Sequence, residues 1–151
     1  MSALKDRLTA DMRTSLKARD EVTTSTLRMA LAAIGTAEVA GAQKRDLSDE
    51  EVLAVLTKEA KKRREAATAF ADAGRSEQAA KERAEGEVLD RYLPSQLSDA
   101  ELADLVAGAL AAGGFSGRGQ MGPAMKAAQA AVAGRAEGGR VAAEVRRQLG
   151  A

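Results

Sequence analysis

Leu4, Leu8, Met12 and Leu16 stand four residues apart near the start of the chain, and helical spacing of this kind recurs almost to its end. Residues four apart share one face of an α-helix, whereas a half-buried strand needs apolar and polar residues in alternation. None of the 151 residues falls in a stretch that alternates in that way. Only Pro94 and Pro123 interrupt a sequence rich in alanine and poor in β-branched residues, which favours helix almost throughout. The expected fold is all-α.

Punctuation divides this helical sequence. The first helix should end near Arg19-Asp20, and a second, through Leu27, Leu31 and Ile34, should fray in Ala40-Gly41-Ala42-Gln43. Ser48-Asp49-Glu50-Glu51 is a capping box, in which the Ser and Glu side chains each satisfy the other's free backbone N–H. It opens a third helix that runs to about Ala73, with Gly74 as C-terminal cap; Ser76 is expected to cap a fourth that reaches Tyr92-Leu93 and stops at Pro94. A second capping box, Ser98-Asp99-Ala100-Glu101, opens helix five, with Leu102, Leu105, Val106, Ala109 and Leu110 on one face and Gly113-Gly114 at its end. Pro123 suits the first turn of helix six, which carries Met125, Ala128 and Val132 and should stop at Gly134; Val141, Val145 and Leu149 mark the last helix. The expected organisation is a four-helix N-terminal domain, residues 1–95, and a three-helix C-terminal domain, residues 96–151, joined by a hinge at Leu93-Pro94-Ser95-Gln96.

Composition removes several kinds of chemistry. Without cysteine the chain has no thiol nucleophile, disulfide framework or cysteine zinc site, and without histidine it has no Ser-His-Asp arrangement. Neither a metal site nor a cofactor is expected. Phe70, Tyr92 and Phe115 are the only aromatic residues, too few for a base-stacking platform. No apolar run approaches the roughly 20 residues of a membrane span, and the N-terminal stretch lacks the apolar core of a signal peptide. A cytoplasmic protein with no membrane contact is the expectation. Charge is uneven. Residues 113–151 carry six basic residues (Arg118, Lys126, Arg135, Arg140, Arg146, Arg147) against Glu137 and Glu144, net +4, while the preceding 112 carry net −3. A basic, glycine-rich tail on a near-neutral chain is the electrostatic footprint of a polyanion contact.

Three constellations follow from this pattern. Gly117-Arg118-Gly119-Gln120-Met121-Gly122 spells G-x-G-x-x-G before a helix, but a dinucleotide site also needs a preceding strand, and here a helix precedes. What remains is a helix N-terminus beside Arg118, able to hold a phosphate, or a plain interhelical loop. Lys58, Lys61 and Lys62 lie opposite the apolar stripe of helix three, as a solvated face or a secondary basic face for RNA. Arg63 instead projects into that stripe, and Lys81 and Glu85 share the stripe of helix four with Val88 and Tyr92. Charges facing a core need partners. An antiparallel hairpin about Gly74 would bring Glu59, Arg63 and Glu85 into one structural ion-pair network with Lys81 nearby. No nucleophile accompanies these carboxylates, so no catalytic residue is assigned.

The chain resembles the YqeY-like proteins of the GatB/YqeY family. The matching words are Leu27-Arg28-Met29, Leu47-Ser48-Asp49-Glu50-Glu51-Val52, Phe70 followed by Ala73-Gly74-Arg75, and Tyr92-Leu93-Pro94-Ser95-Gln96-Leu97-Ser98. Met121-Gly122 and Gly134-Arg135-Ala136-Glu137-Gly138 continue the series in order. The resemblance implies an all-helical protein whose tail is related to the tRNA-contacting C-terminal domain of the amidotransferase B subunit. It carries the family label of carbon–nitrogen ligase with glutamine as amido-N-donor. The chain itself shows no amidase signature and no P-loop. The expected function is a non-catalytic, tRNA-associated accessory protein in tRNA-dependent amidation, with Arg118, Lys126, Arg135 and Arg140 as candidate nucleic-acid contacts. The alternative is a helical protein-interaction module that docks on an aminoacyl-tRNA synthetase or amidotransferase subunit, through a groove lined by Leu105, Val141 and Val145.

Overall fold

The computed structural model describes residues 2–150. Among them regular structure is helical throughout: α1 (Ala3–Lys17), α2 (Glu21–Glu38), α3 (Asp49–Asp72), α4 (Ser76–Asp90), α5 (Asp99–Gly113), a 3-10 turn (Arg118–Gln120), α6 (Met121–Val132) and α7 (Gly138–Leu149). The protein is all-α. It divides into two compact units, residues 1–93 and 94–151. No helix among the described residues is long and apolar enough to cross a membrane.

In the N-terminal unit each of the first three helices starts on a side-chain cap. Ser2 accepts from the Lys5 N–H, Asp20 from the Thr23 N–H, and Ser48 from the Glu51 N–H. Glu51 returns the Ser48 bond, its carboxylate accepting the Ser48 N–H at 2.9 Å. The Arg45 guanidinium and this N–H hold the Glu51 carboxyl down at about 2. Arg19 turns the chain between α1 and α2 in a left-handed conformation, φ +58°, and the Asp20 N–H closes the turn on the Ser15 carbonyl at 3.0 Å. Gly74, φ +76°, makes the equivalent turn between α3 and α4, whose hairpin is the most extensive helix pairing in the protein. Leu8, Leu27, Ala30, Ile34, Val52, Leu56, Ala60, Val88 and Leu89 fill the core of this unit.

Both boundaries of α4 differ from the sequence-based expectation. Ser76 does not cap α4: it is the first helical residue, the N-cap is Arg75, and no side chain bonds there. After the left-handed Gly74, one residue suffices to reach helical angles, so the cap position falls one earlier. The helix also ends at Asp90 rather than Leu93. Tyr92 and Leu93 donate to the Leu89 and Asp90 carbonyls, a three-residue tightening that relieves the clash Pro94 imposes on the residue before it.

The C-terminal unit packs α5, α6 and α7 around Leu97, Leu102, Val106, Leu110, Ala124, Ala128, Val132, Val141, Val145 and Leu149. Ser98 caps α5 through the Glu101 N–H at 3.2 Å. Pro123 sits in the first turn of α6, where its missing N–H leaves no helical bond unmade. The stop at Gly134 comes slightly early: α6 ends at Val132, and Ala133, φ 51°, is already left-handed before Gly134, φ 77°.

Candidate functional site

Most of the basic residues expected to contact nucleic acid are tied into the C-terminal unit. Leu97 donates to the Arg135 carbonyl at 2.7 Å, and Arg135 Nε donates to the Ser95 carbonyl at 3.2 Å. Arg140 donates to the Leu97 carbonyl and to Asp99 Oδ1, both at 2.9 Å. Arg135 and Arg140 therefore meet around the segment that leads into α5. Arg118 lies at the other end of α7, where its Nε donates to the Gly150 carbonyl at 2.7 Å. A cation at a helix C-terminus also meets the negative end of the helix dipole. Twelve residues of α7 separate these ends by about 18 Å, and Lys126 is exposed on α6. The four cations thus form a spread surface, not a single cluster. The bonds of Arg118 and Arg135 use Nε, which does not consume their terminal guanidinium nitrogens. Neighbouring charge is partly committed: Arg147 pairs with Glu144, which also accepts from Gln148, and these bonds lower the Glu144 carboxyl from its usual range.

In the glycine-rich segment, Arg118 belongs to the 3-10 turn that leads into α6, and the Ser116 N–H donates to Gln120 Oε1 at 2.9 Å. Helix α5 precedes it and no side chain caps α6. These contacts make it a connector held by its own backbone and side-chain bonds.

On α3, Lys58, Lys61 and Lys62 are exposed. Lys61 lies 3.9 Å from Glu65 and Lys62 3.1 Å from Glu59, so acids interleave this face. Arg63 points the other way, across the hairpin. Its Nη1 lies 3.0 Å from Glu85 and 3.4 Å from Glu82, while Nη2 donates to Met29 Sδ at 3.3 Å. The membership of this network differs from the sequence reading in two places. Glu59 turns to Lys62, one helical turn on, and Lys81 is exposed, its expected place being taken by Glu82. Arg63 lies directly against α4 here: a Cβ added at Gly86 would stand 3.7 Å from the Arg63 Cβ, an ordinary contact distance. The guanidinium then runs alongside Glu82 and Glu85 and leaves Lys81 on the outer face. The groove expected at Leu105, Val141 and Val145 is likewise corrected. Val141 and Val145 are fully buried with Leu105 packed against them, so the space is filled core.

Sequence reasoning missed a polar cleft of about 310 Å³ in the N-terminal unit, lined by Arg7, Asp11, Ser15, Asp20, Thr23, Arg91 and Tyr92. The Tyr92 hydroxyl donates to Asp11 at 2.6 Å, and the Arg7 guanidinium lies 4.7 Å from the Tyr92 ring centre. Burial, then the bond to the Asp11 carboxylate, pushes the Tyr92 phenol up to about 12. Tyr92 and Asp11 are 81 positions apart, and no spacing rule links them.

None of the curated proteins matches this chain. The family described as Yqey-like protein matches residues 5–149, nearly the full length of both units, and the chain belongs to that family.

Proposed function

We propose that the protein is a tRNA-associated accessory protein in tRNA-dependent amidation, not catalytic alone, which binds tRNA through its C-terminal unit. The observation that carries this reading is the basic segment 113–151, net +4, which follows the acidic start of the C-terminal unit at Asp99, Glu101 and Asp104 in a Yqey-like protein. Arg118, Lys126, Arg135 and Arg140 are the contacts. The separation of Arg118 from Arg135 and Arg140 along α7, with Lys126 on α6, suits phosphates spaced along a backbone better than one bound anion, so recognition rests on shape and phosphate position, with little base reading. An aminoacyl-tRNA synthetase or an amidotransferase subunit is the protein partner such an accessory role implies.

Filter binding with tRNA at several salt concentrations tests this. Affinity is expected to fall steeply as salt rises, because each phosphate neutralised releases counterions. Lys126→Ala is expected to reduce the salt slope by about one contact without loss of fold, since Lys126 is exposed. Absence of binding at low salt would overturn the proposal.

A further inference from the structure

Val22, Ser25, Met29, Ala32, Thr36 and Val39 follow one another at intervals of alternately three and four residues. That interval keeps a single seam along a helix and is the spacing of a coiled-coil contact. All six are exposed. Val22, Met29 and Val39, at 41%, 48% and 57% exposure, are three of the four exposed large apolar side chains among the described residues. None of the six is charged, in a chain where 30% of residues are. Solvated helix faces normally carry charge, as α3 does with Lys58, Lys61 and Lys62. The opposite face of α2 already has its partners, because Leu27, Ala30 and Ile34 lie in the core. Met29, the largest of the seam residues, is held in place by the Arg63 guanidinium.

We propose that this seam joins two copies of the chain, α2 lying antiparallel against α2 of the second copy. The order along the seam is close to a palindrome: Val, Ser, Met, Ala, Thr, Val. Turned end for end, Val22 meets Val39 of the second copy, Ser25 meets Thr36, and Met29 meets Ala32. Large side chains then face small ones at the centre and valines close both ends. This is the self-complementarity that a two-fold contact requires and that a foreign partner does not. The hydroxyls can be covered without stranding a donor, since Ser25 and Thr36 already donate to the Val22 and Ala32 carbonyls. Arg28, on the flank, comes opposite Gly35 and meets no like charge. A parallel arrangement would set Met29 on Met29 and Ala32 on Ala32, crowding one layer and emptying the next. The 18 residues of α2 give a seam about 27 Å long. A single helix pair falls in the weak class of interfaces, below about 1,000 Å², so the dimer should form and dissociate with concentration.

Sedimentation of the full chain over a range of concentrations is expected to show mass rising from monomer toward dimer. Ala32→Glu puts a carboxylate against Met29 near the two-fold axis and should weaken association about tenfold or more. Lys61→Glu, on the exposed face of α3, should leave it unchanged. The chain has no native cysteine, so engineered thiols report the register. Under a mild oxidant, the double variant Ser25→Cys with Thr36→Cys should yield a covalent dimer. Ser25→Cys alone should not, because the two copies of residue 25 stand about 16 Å apart along the antiparallel pair, too far for a disulfide. A monomer at every concentration, an unaffected Ala32→Glu, or cross-linking by Ser25→Cys alone as readily as by the double variant would overturn the proposal.

Discussion

Arg63 shows what a single charged residue does when a helix hairpin closes over it. Its side chain is 13% exposed and that of Glu85 6%, so neither charge is well solvated. Arg63→Ala leaves Glu82 and Glu85 without their cation, and breaking a buried pair costs about 3–5 kcal/mol, less where water still reaches the group. The expected loss is about 3 kcal/mol at the thermal or denaturant midpoint. Lys61→Ala, on the outer face, should stay within about 0.5 kcal/mol. Equal stability of the two variants would remove Arg63 from any structural role. The projection of α3 placed Arg63 on the inner face correctly, since that follows from helical period alone. Which acids it meets depends on how α4 packs across from it, and the period of α3 does not give that. Tyr92 offers a second check. It is the only tyrosine and the chain has no tryptophan, so phenolate absorbance reports one residue. The folded-state value, about 12, lies above the ordinary value of 10.0. Tyr92 therefore supports the fold fully below pH 10, and its contribution fades as pH rises from 10 toward 12. Native protein should resist ionisation until near pH 12, and denatured protein should ionise near 10. Asp11→Asn should lower the native midpoint only part of the way, because burial is the larger cause.

Among the elements, α5 contains two glycines in opposite circumstances. Gly108 lies in the middle of the helix with nothing within 4 Å of where a Cβ would stand. Gly108→Ala should therefore stabilise the protein by about 0.8–1.0 kcal/mol, the difference in helix propensity. Gly113 closes the helix under the ring of Phe115, whose Cε2 would lie 2.2 Å from an added Cβ. Gly113→Ala should push that ring out of its seat and cost about 1–3 kcal/mol, read as a lowered melting midpoint. Sequence pattern located the ends of α5 well because both ends carry local signals, Ser98 with Glu101 at the start and Gly113-Gly114 at the finish. The same reasoning misplaced the start of α4, where Ser76 looked like a cap but its position was decided by the turn at Gly74. It also placed Val141 and Val145 on a groove, although α7 presents them to α5 and α6 as core. Period tells which residues share a face and leaves open what covers that face. The seam on α2 illustrates the same gap from the other side: its spacing is in the sequence, but only exposure distinguishes it from a second core stripe.

At the scale of the molecule, the boundary between the units can be tested by where the C-terminal unit needs to begin. Its core consists entirely of residues from Leu97 onward, yet the segment before α5 contributes more than its length suggests. Leu97 is 4% exposed and bonded at its N–H by Arg135 and at its carbonyl by Arg140. Ser98 then supplies the cap of α5. A fragment of residues 94–151 keeps all of these and should show a cooperative thermal transition with helical circular dichroism. A fragment that begins at residue 100 loses the buried leucine, worth about 2–5 kcal/mol when truncated, and the cap, worth about 0.5–2 kcal/mol. It also strands the Arg135 carbonyl and removes both acceptors of Arg140. A unit this small has only a few kcal/mol to lose, so the shorter fragment should melt without a cooperative transition. If both fragments fold equally well, the arginines are not anchoring the segment. In that case Arg135 and Arg140 have no structural duty, and their whole contribution would be open to an outside anion.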